Sequence, residues 1–152
     1  YKLENGKYVV PTPLEEQLKL SPYILNVMVH GDNKPYNVAL VVANVPAVKE
    51  WGQSNGVSDS DPEKLLANPK VRALFKKELE HYGEKFKGFE GVKDFALIAE
   101  DFTTENGMLT PSLKVKRRKV FERYESLIES LYSKKKERAP EEKKQKVAAN
   151  AE

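Results

Sequence analysis

Two β-branched runs separated by five turn-forming residues constrain the fold of this chain more than any other feature. Residues 23–30 (Tyr-Ile-Leu-Asn-Val-Met-Val-His) and 36–43 (Tyr-Asn-Val-Ala-Leu-Val-Val-Ala) flank Gly31-Asp32-Asn33-Lys34-Pro35. Runs of this kind pack well on a pleated surface, and the Gly/Asp/Asn/Pro cluster breaks them. They predict two central antiparallel strands. The second run extends to about eight apolar residues, up to Val45, interrupted only by Asn44. That is too short to span a membrane as a helix.

Helical and strand periods fill in around this pair. Residues 1–10 read as a hairpin, with Lys2-Leu3-Glu4 and Lys7-Tyr8-Val9-Val10 around Asn5-Gly6, a dipeptide that suits a two-residue turn. Thr12 is positioned to cap a short helix with Pro13 at its first position. Glu15 falls three residues later, as in a capping box, and Leu14, Leu18 and Leu20 are its apolar side. Ser21-Pro22 stops it. Residues 45–53 read as a helix closed by Asn55-Gly56, and Asp61-Pro62 opens a short one. Asn68-Pro69 opens a longer one to about residue 86, with Val71, Leu74, Phe75, Leu79 and Tyr82 at helical spacing. Residues 92–102 alternate as a strand. After Asn106-Gly107, a helix spans about 116–132 with Val120, Phe121, Tyr124, Leu127, Ile128 and Leu131 as its stripe. Residues 133–152 lack an apolar period and read as a charged tail. The expected class is α+β: an N-terminal β-hairpin and a small, mainly antiparallel central sheet flanked by helices, over residues 1–132.

Composition excludes several kinds of chemistry. Cysteine is absent and only His30 and His81 are present, so there is no thiolate zinc site, cysteine nucleophile or His-rich metal centre. No Ser-His-Asp set, Gly-rich phosphate loop or metal-ligand spacing is visible. Glu15 and Glu16 are adjacent helix positions and diverge, so they do not form a carboxylate pair. His30 at a strand end reads as structural, and Trp51 and the Phe75/Tyr82 stripe read as core. The first residue is not Met and no signal peptide leads the chain, so the segment is expected to begin inside a larger protein.

Charge is distributed unevenly. Residues 1–112 carry 13 Lys/Arg against 16 Asp/Glu, whereas residues 113–152 carry 13 against 7. A basic C-terminal part calls for an anionic partner: a phosphate ligand, nucleic acid or an acidic protein surface. Lys114 stands on a defined loop between Pro111 and the basic run Lys116-Arg117-Arg118-Lys119. On composition alone it is a solvated lysine. Held on a fixed loop, its ammonium could stabilise negative charge on a phosphate or acyl oxygen. The basic run has no interleaved aromatics and is followed by Glu122, Glu125 and Glu129, which argues against nucleic acid and for a nucleotide-like phosphate or a partner domain. A non-enzymatic basic binding module is the competing class.

Three segments together carry a resemblance. Tyr1-Lys2-Leu3-Glu4-Asn5-Gly6-Lys7-Tyr8-Val9-Val10-Pro11-Thr12-Pro13-Leu14-Glu15 resembles the motif after the hinge in adenylate-forming enzymes. Asn106-Gly107-Met108-Leu109-Thr110-Pro111-Ser112-Leu113-Lys114-Val115-Lys116-Arg117 resembles their terminal catalytic-lysine motif. The strands between, with Gly31-Asp32-Asn33-Lys34-Pro35, resemble the long-chain fatty acyl-CoA synthetase branch. Many members have Gly before the lysine where this chain has Leu113, and the Thr-Pro-x-Leu-Lys form favours the long-chain branch. The resemblance covers roughly residues 1–132.

The resemblance implies the C-terminal lid of a two-step ligase. Fatty acid and ATP, with magnesium on the phosphates, give acyl-adenylate and pyrophosphate; CoA then gives acyl-CoA and AMP. Lys114 would be the adenylation lysine. Gly6, with Lys7 and Tyr8, would line the pantetheine tunnel after the domain rotates. Lys116, Arg117, Arg118 and Lys119 are candidates for the CoA phosphates. No metal ligand is expected in this segment, because ATP and magnesium would be held mainly by an N-terminal adenylation domain of the same protein. An acceptor other than CoA, such as a carrier protein, is the alternative within the family. The implied location is cytoplasmic, with peripheral membrane contact compatible with a fatty substrate.

Overall fold

A computed structural model describes residues 1–86 and 88–133 of the chain. The tail expected from residue 133 lies, from residue 134 onward, outside the described residues.

The two β-branched runs form the strands expected of them. β1 (Ile24–His30) and β2 (Asn37–Ala43) pair antiparallel, with Val27 opposite Val41 and Val29 opposite Ala39. β2 is buried at every position, as befits the centre of a sheet. β3 (Val92–Ile98) joins its other side in the order β1-β2-β3, but runs parallel to β2. The α+β class holds, and the sheet is mixed rather than mainly antiparallel. The reason is the crossover between β2 and β3. A parallel neighbour requires a long connection, here three helices that carry the chain back to the end where β2 began.

Before the sheet comes α1 (Pro11–Leu18). The crossover contains α2 (Val45–Gln53), α3 (Pro62–Ala67) and α4 (Pro69–Tyr82). Residues 117–133 form α5. Asn44 and Asn68 cap α2 and α4 through their side-chain oxygens, each followed by a Pro that needs no N–H partner in the first turn. α1 begins differently from the expected capping box. Pro11 takes the first turn, Val10 occupies the cap without a side-chain bond, and Thr12 is exposed. Glu15 does not turn back to the cap, because stronger partners hold it in the interior.

Alternation along β2 divides the core into two layers. Ala39, Val41 and Ala43 face α1, α2, α3 and α4, with Leu14, Leu18 and Phe75. Val38, Leu40 and Val42 face α5, with Val120, Ile128 and Leu131. Trp51 and Tyr82 are half-buried against the first layer. Leu20, expected on the apolar side of α1, is exposed because the helix ends at Leu18. Tyr132 anchors α5 by donating its hydroxyl to the carbonyls of Tyr36 (3.0 Å) and His30 (3.2 Å). No helix among the described residues is long and apolar enough to cross a membrane.

Candidate functional site

Gly6, Lys7, Tyr8 and Lys114 lie on two small hairpins of one design. In the first, the Leu3 N–H donates to the Lys7 carbonyl (3.0 Å) and the Gly6 N–H donates to the Leu3 carbonyl (2.9 Å). Lys2 and Tyr8 form the bridge behind them. In the second, the Thr110 N–H donates to the Lys114 carbonyl (2.8 Å) and the Leu113 N–H donates to the Thr110 carbonyl (2.8 Å). Leu109 and Val115 form the corresponding bridge. Each loop therefore has three residues, and its last residue is left-handed: Gly6 at φ +86° and Leu113 at φ +65°. The two-residue Asn5-Gly6 turn expected from sequence is not what forms. Such a turn needs positive φ at both residues, and Asn5 lacks it; its side-chain oxygen instead accepts from the Lys7 N–H at 3.0 Å. Thr110 does the same job in the second hairpin, its hydroxyl accepting from the Lys114 N–H at 3.0 Å.

Both hairpins are anchored on one side and exposed on the other. Leu3 and Val9 are buried beneath the first, while Tyr8 is 72% exposed. Lys7 lies over the Phe89 ring, 4.9 Å from its centroid, and Lys2 over Tyr8 at 5.6 Å. A Cβ built on Gly6 meets nothing within 4 Å, so among the described residues the backbone conformation alone favours glycine there. Beneath the second hairpin, Met108 and Leu109 are buried. Asn106 organises its approach. Its amide donates to the Asp101 carbonyl (2.9 Å), and its oxygen accepts from the N–H of Thr103 (3.0 Å) and of Met108 (3.1 Å). Lys114 is exposed, and among the described residues no carboxylate pairs with its ammonium.

One ion pair ties α1, which follows the first hairpin, to the start of α5, which follows the second. Arg117, three residues after Lys114, donates both ends of its guanidinium to Glu15: Nη1 to Oε2 at 2.8 Å and Nη2 to Oε1. Glu15 Oε2 also accepts the Val29 N–H at 2.7 Å, and the Glu15 side chain is only 7% exposed. The hydrogen bond to Glu15 raises the Arg117 pKa above its ordinary value, so the guanidinium stays charged. Neither partner was read this way in sequence. The available signal was Glu15 itself, which lies beside Leu14 and one turn before Leu18 on the apolar side of α1. A carboxylate on a buried face needs a cation.

Lys116 immediately precedes α5 and Arg117, Arg118 and Lys119 lie in its first turn, where the helix macrodipole already favours negative charge and disfavours cations. Glu15 neutralises Arg117, and Glu122 meets Arg118 at 3.1 Å. Lys114, Lys116 and Lys119 are exposed, and none has a carboxylate partner among the described residues. This arrangement favours an anion at the loop. His30 takes no part: it stacks on Phe121 at 4.7 Å, and burial lowers its pKa. The described residues contain no cluster of three or more His, Asp or Glu suited to a metal ion.

Comparison with known proteins places this geometry. Residues 2–136 match the AMP-binding enzyme C-terminal domain family. The chain is 32% identical over 135 residues to the Arabidopsis thaliana protein named long chain acyl-CoA synthetase 6, peroxisomal, covering 87% of this chain and 19% of that one. It is 35% identical over 134 residues to the long-chain-fatty-acid–CoA ligase FadD15 of Mycobacterium tuberculosis (86% and 22%), and 33% identical over 136 residues to human long-chain-fatty-acid–CoA ligase 1 (88% and 19%). The chain thus spans about a fifth of the length of these relatives. Among solved structures, it is similar to the adenylation domain of a carboxylate reductase from Mycobacterium chelonae. The TM-score is 0.69 at 27% identity, over 88% of this chain and 19% of that one. The adenylation and carrier didomain of a carboxylic acid reductase from Segniliparus rugosus, in complex with AMP, gives 0.69 at 26% identity, over 88% and 17%. With its two anchored hairpins and mixed sheet, the chain belongs to the C-terminal domain family of AMP-binding, adenylate-forming enzymes.

Proposed function

We propose that this domain is the mobile lid of a long-chain fatty acid–CoA ligase, and that its two hairpins serve successive half-reactions. The observation that carries the proposal is the shared geometry of the hairpins, two three-residue loops with exposed tips on one folded domain. In the first step a fatty carboxylate attacks the α-phosphorus of ATP and pyrophosphate leaves. Lys114, on the exposed hairpin, is the group that stabilises the charge on the carboxylate and α-phosphate oxygens. A fixed cation in a water-poor site is worth about a hundred- to a thousandfold in rate. In the second step the CoA thiol attacks the acyl carbon and AMP leaves. Between the two steps the domain rotates so that Gly6, Lys7 and Tyr8 line the path of the pantetheine. A rigid lid makes the motion an exchange of one hairpin for the other.

Lys116, Arg118 and Lys119 are assigned to the CoA phosphates. Arg117 is set apart from them because its guanidinium is engaged by Glu15 of α1. Among the described residues no cluster of His, Asp or Glu suits a metal ion; the N-terminal adenylation domain is the proposed holder of ATP and magnesium. Identity to three proteins named as long-chain acyl-CoA synthetases or ligases supports the fatty substrate and CoA. The likeness to carboxylate reductase adenylation domains, one of them joined to a carrier domain, supports a second reading with a carrier-protein acceptor. In the full-length protein, Lys114→Ala is expected to slow ATP–pyrophosphate exchange about a hundred- to a thousandfold while sparing thioester formation from supplied acyl-adenylate. Equal loss of both half-reactions would count against the role of Lys114. Competition between CoA and a carrier protein for the same adenylate separates the two acceptors.

A further inference from the structure

Leu113 carries two costs with no return among the described residues. Its backbone is left-handed (φ +65°), a conformation that lowers the folding constant roughly tenfold for a residue with a Cβ. Its side chain is 70% exposed and packs in neither core layer. Gly6 stands at the same corner of the first hairpin and avoids both costs. The corner is also fixed. Leu113 N–H donates to the Thr110 carbonyl, the next N–H donates to the Thr110 hydroxyl, and that hydroxyl meets Ser112 Oγ at 3.0 Å. An apolar side chain is thus held at a strained corner one residue before Lys114, where it must accompany the ammonium wherever that goes. Strain of this kind, kept at a site, points to use in a state the isolated domain does not show.

We propose that Leu113 enters the adenylation site with Lys114 and seals it against water, packing on the apolar carbons next to the reacting carboxylate. The proposal rests on the adenylation role given to Lys114 above. The acyl-adenylate is a mixed anhydride exposed to hydrolysis. Water oxygen bonds to the acyl carbon, the bond from that carbon to the phosphate oxygen breaks, AMP leaves with its electron pair, and a proton passes to solvent. The fatty acid is regenerated and one ATP is lost. A leucine over this centre blocks the water and strengthens the attraction between Lys114 and the phosphate by drying the site. A glycine at the same corner leaves the opening unfilled.

The test is the ratio of AMP released to acyl-CoA formed, at limiting CoA, in the full-length protein carrying this domain. Wild type and Leu113→Met are expected near one, and Leu113→Gly several-fold higher. Glycine suits the left-handed corner, so a folding defect does not obscure the result, and a mere loosening of Lys114 would slow turnover without raising the ratio. A Leu113→Gly ratio equal to wild type overturns the proposal, as does an equal rise in Leu113→Met. Lys114→Ala in the same series reads the premise separately: retained ATP–pyrophosphate exchange would remove the adenylation role of Lys114, whatever Leu113→Gly does.

Discussion

Replacing Arg117 with Ala should destabilise this domain more than replacing Glu15 with Gln, although both break the same ion pair. Glu15 is 7% exposed and has three donors: both Arg117 guanidinium nitrogens and the Val29 N–H. Removing Arg117 leaves a charged carboxylate in the interior with one backbone donor. Breaking a buried pair from one side costs about 3–5 kcal/mol. Arg117 keeps 39% exposure, which lets water reach the pair and moves the expectation to the lower end, about 3 kcal/mol. In Glu15→Gln the amide oxygen still accepts the Val29 N–H and the half-exposed guanidinium turns to water. The loss is then that of a charge-assisted hydrogen bond, about 1.5–2 kcal/mol. Urea denaturation of this chain, followed by circular dichroism, reads both. With a slope of about 2 kcal/mol per molar, Arg117→Ala should lower the midpoint by about 1.5 M. The double variant Glu15→Gln/Arg117→Met should recover part of the Arg117→Ala loss, because no uncompensated charge remains inside. An Arg117→Ala effect below about 0.5 kcal/mol, or purely additive single effects, would refute the assignment of this pair as a buried joint between α1 and α5.

Four further outcomes are expected. Leu113→Gly relieves about 1–2 kcal/mol of left-handed strain and adds about 0.5–1 kcal/mol of unfolded-chain entropy, so a net gain of about 0.5–1 kcal/mol should raise the denaturation midpoint; a lower midpoint would contradict the strain. Phe75→Ala, at a fully buried position, should cost about 3–5 kcal/mol by the same assay, and a cost under 1 kcal/mol would mean the first core layer is misassigned. His30 has its pKa lowered by burial against Phe121, with Glu129 and Asp32 opposing and Lys34 reinforcing the shift. The unfolded chain therefore takes up the proton first as pH falls. The contribution of His30 is complete above about pH 6.5 and is lost as pH drops through the folded value, and His30→Phe should flatten that part of the stability profile. This chain by itself should make no acyl-CoA from ATP, oleate and CoA, and any turnover would refute its role as a lid that needs a partner domain.

Residues governed by local chemistry were legible in sequence. The β-branched pair, the Asn68-Pro69 start of α4 and most of the α5 stripe follow from rotamer preference, a side-chain acceptor and helical period, and they formed as expected; Leu127, expected in that stripe, is exposed. What sequence did not convey depended on partners far along the chain. The parallel sense of β3 is set by the helical crossover, not by the residues of β3. Glu15 satisfies the local spacing of a capping box, and a guanidinium 102 residues away overrides it. Asn5-Gly6 carries the signal of a two-residue turn, yet one side-chain bond from Asn5 to the Lys7 N–H accompanies a three-residue loop. For the site, the positions of Gly6 and Lys114 at exposed hairpins agree with their sequence motifs. The identical construction of those hairpins and the strain at Leu113 emerged only from the hydrogen bonds and backbone angles.

The central claim is that two hairpins on one rigid domain serve different half-reactions. Its most direct test is a crossed measurement in the full-length protein: rates of ATP–pyrophosphate exchange and of thioester formation from supplied acyl-adenylate, for Lys114→Ala and Gly6→Trp side by side. The account predicts that Lys114→Ala loses about a hundred- to a thousandfold in the first rate and little in the second. Gly6→Trp should lose mainly the second. Parallel losses in both rates for both variants would contradict it.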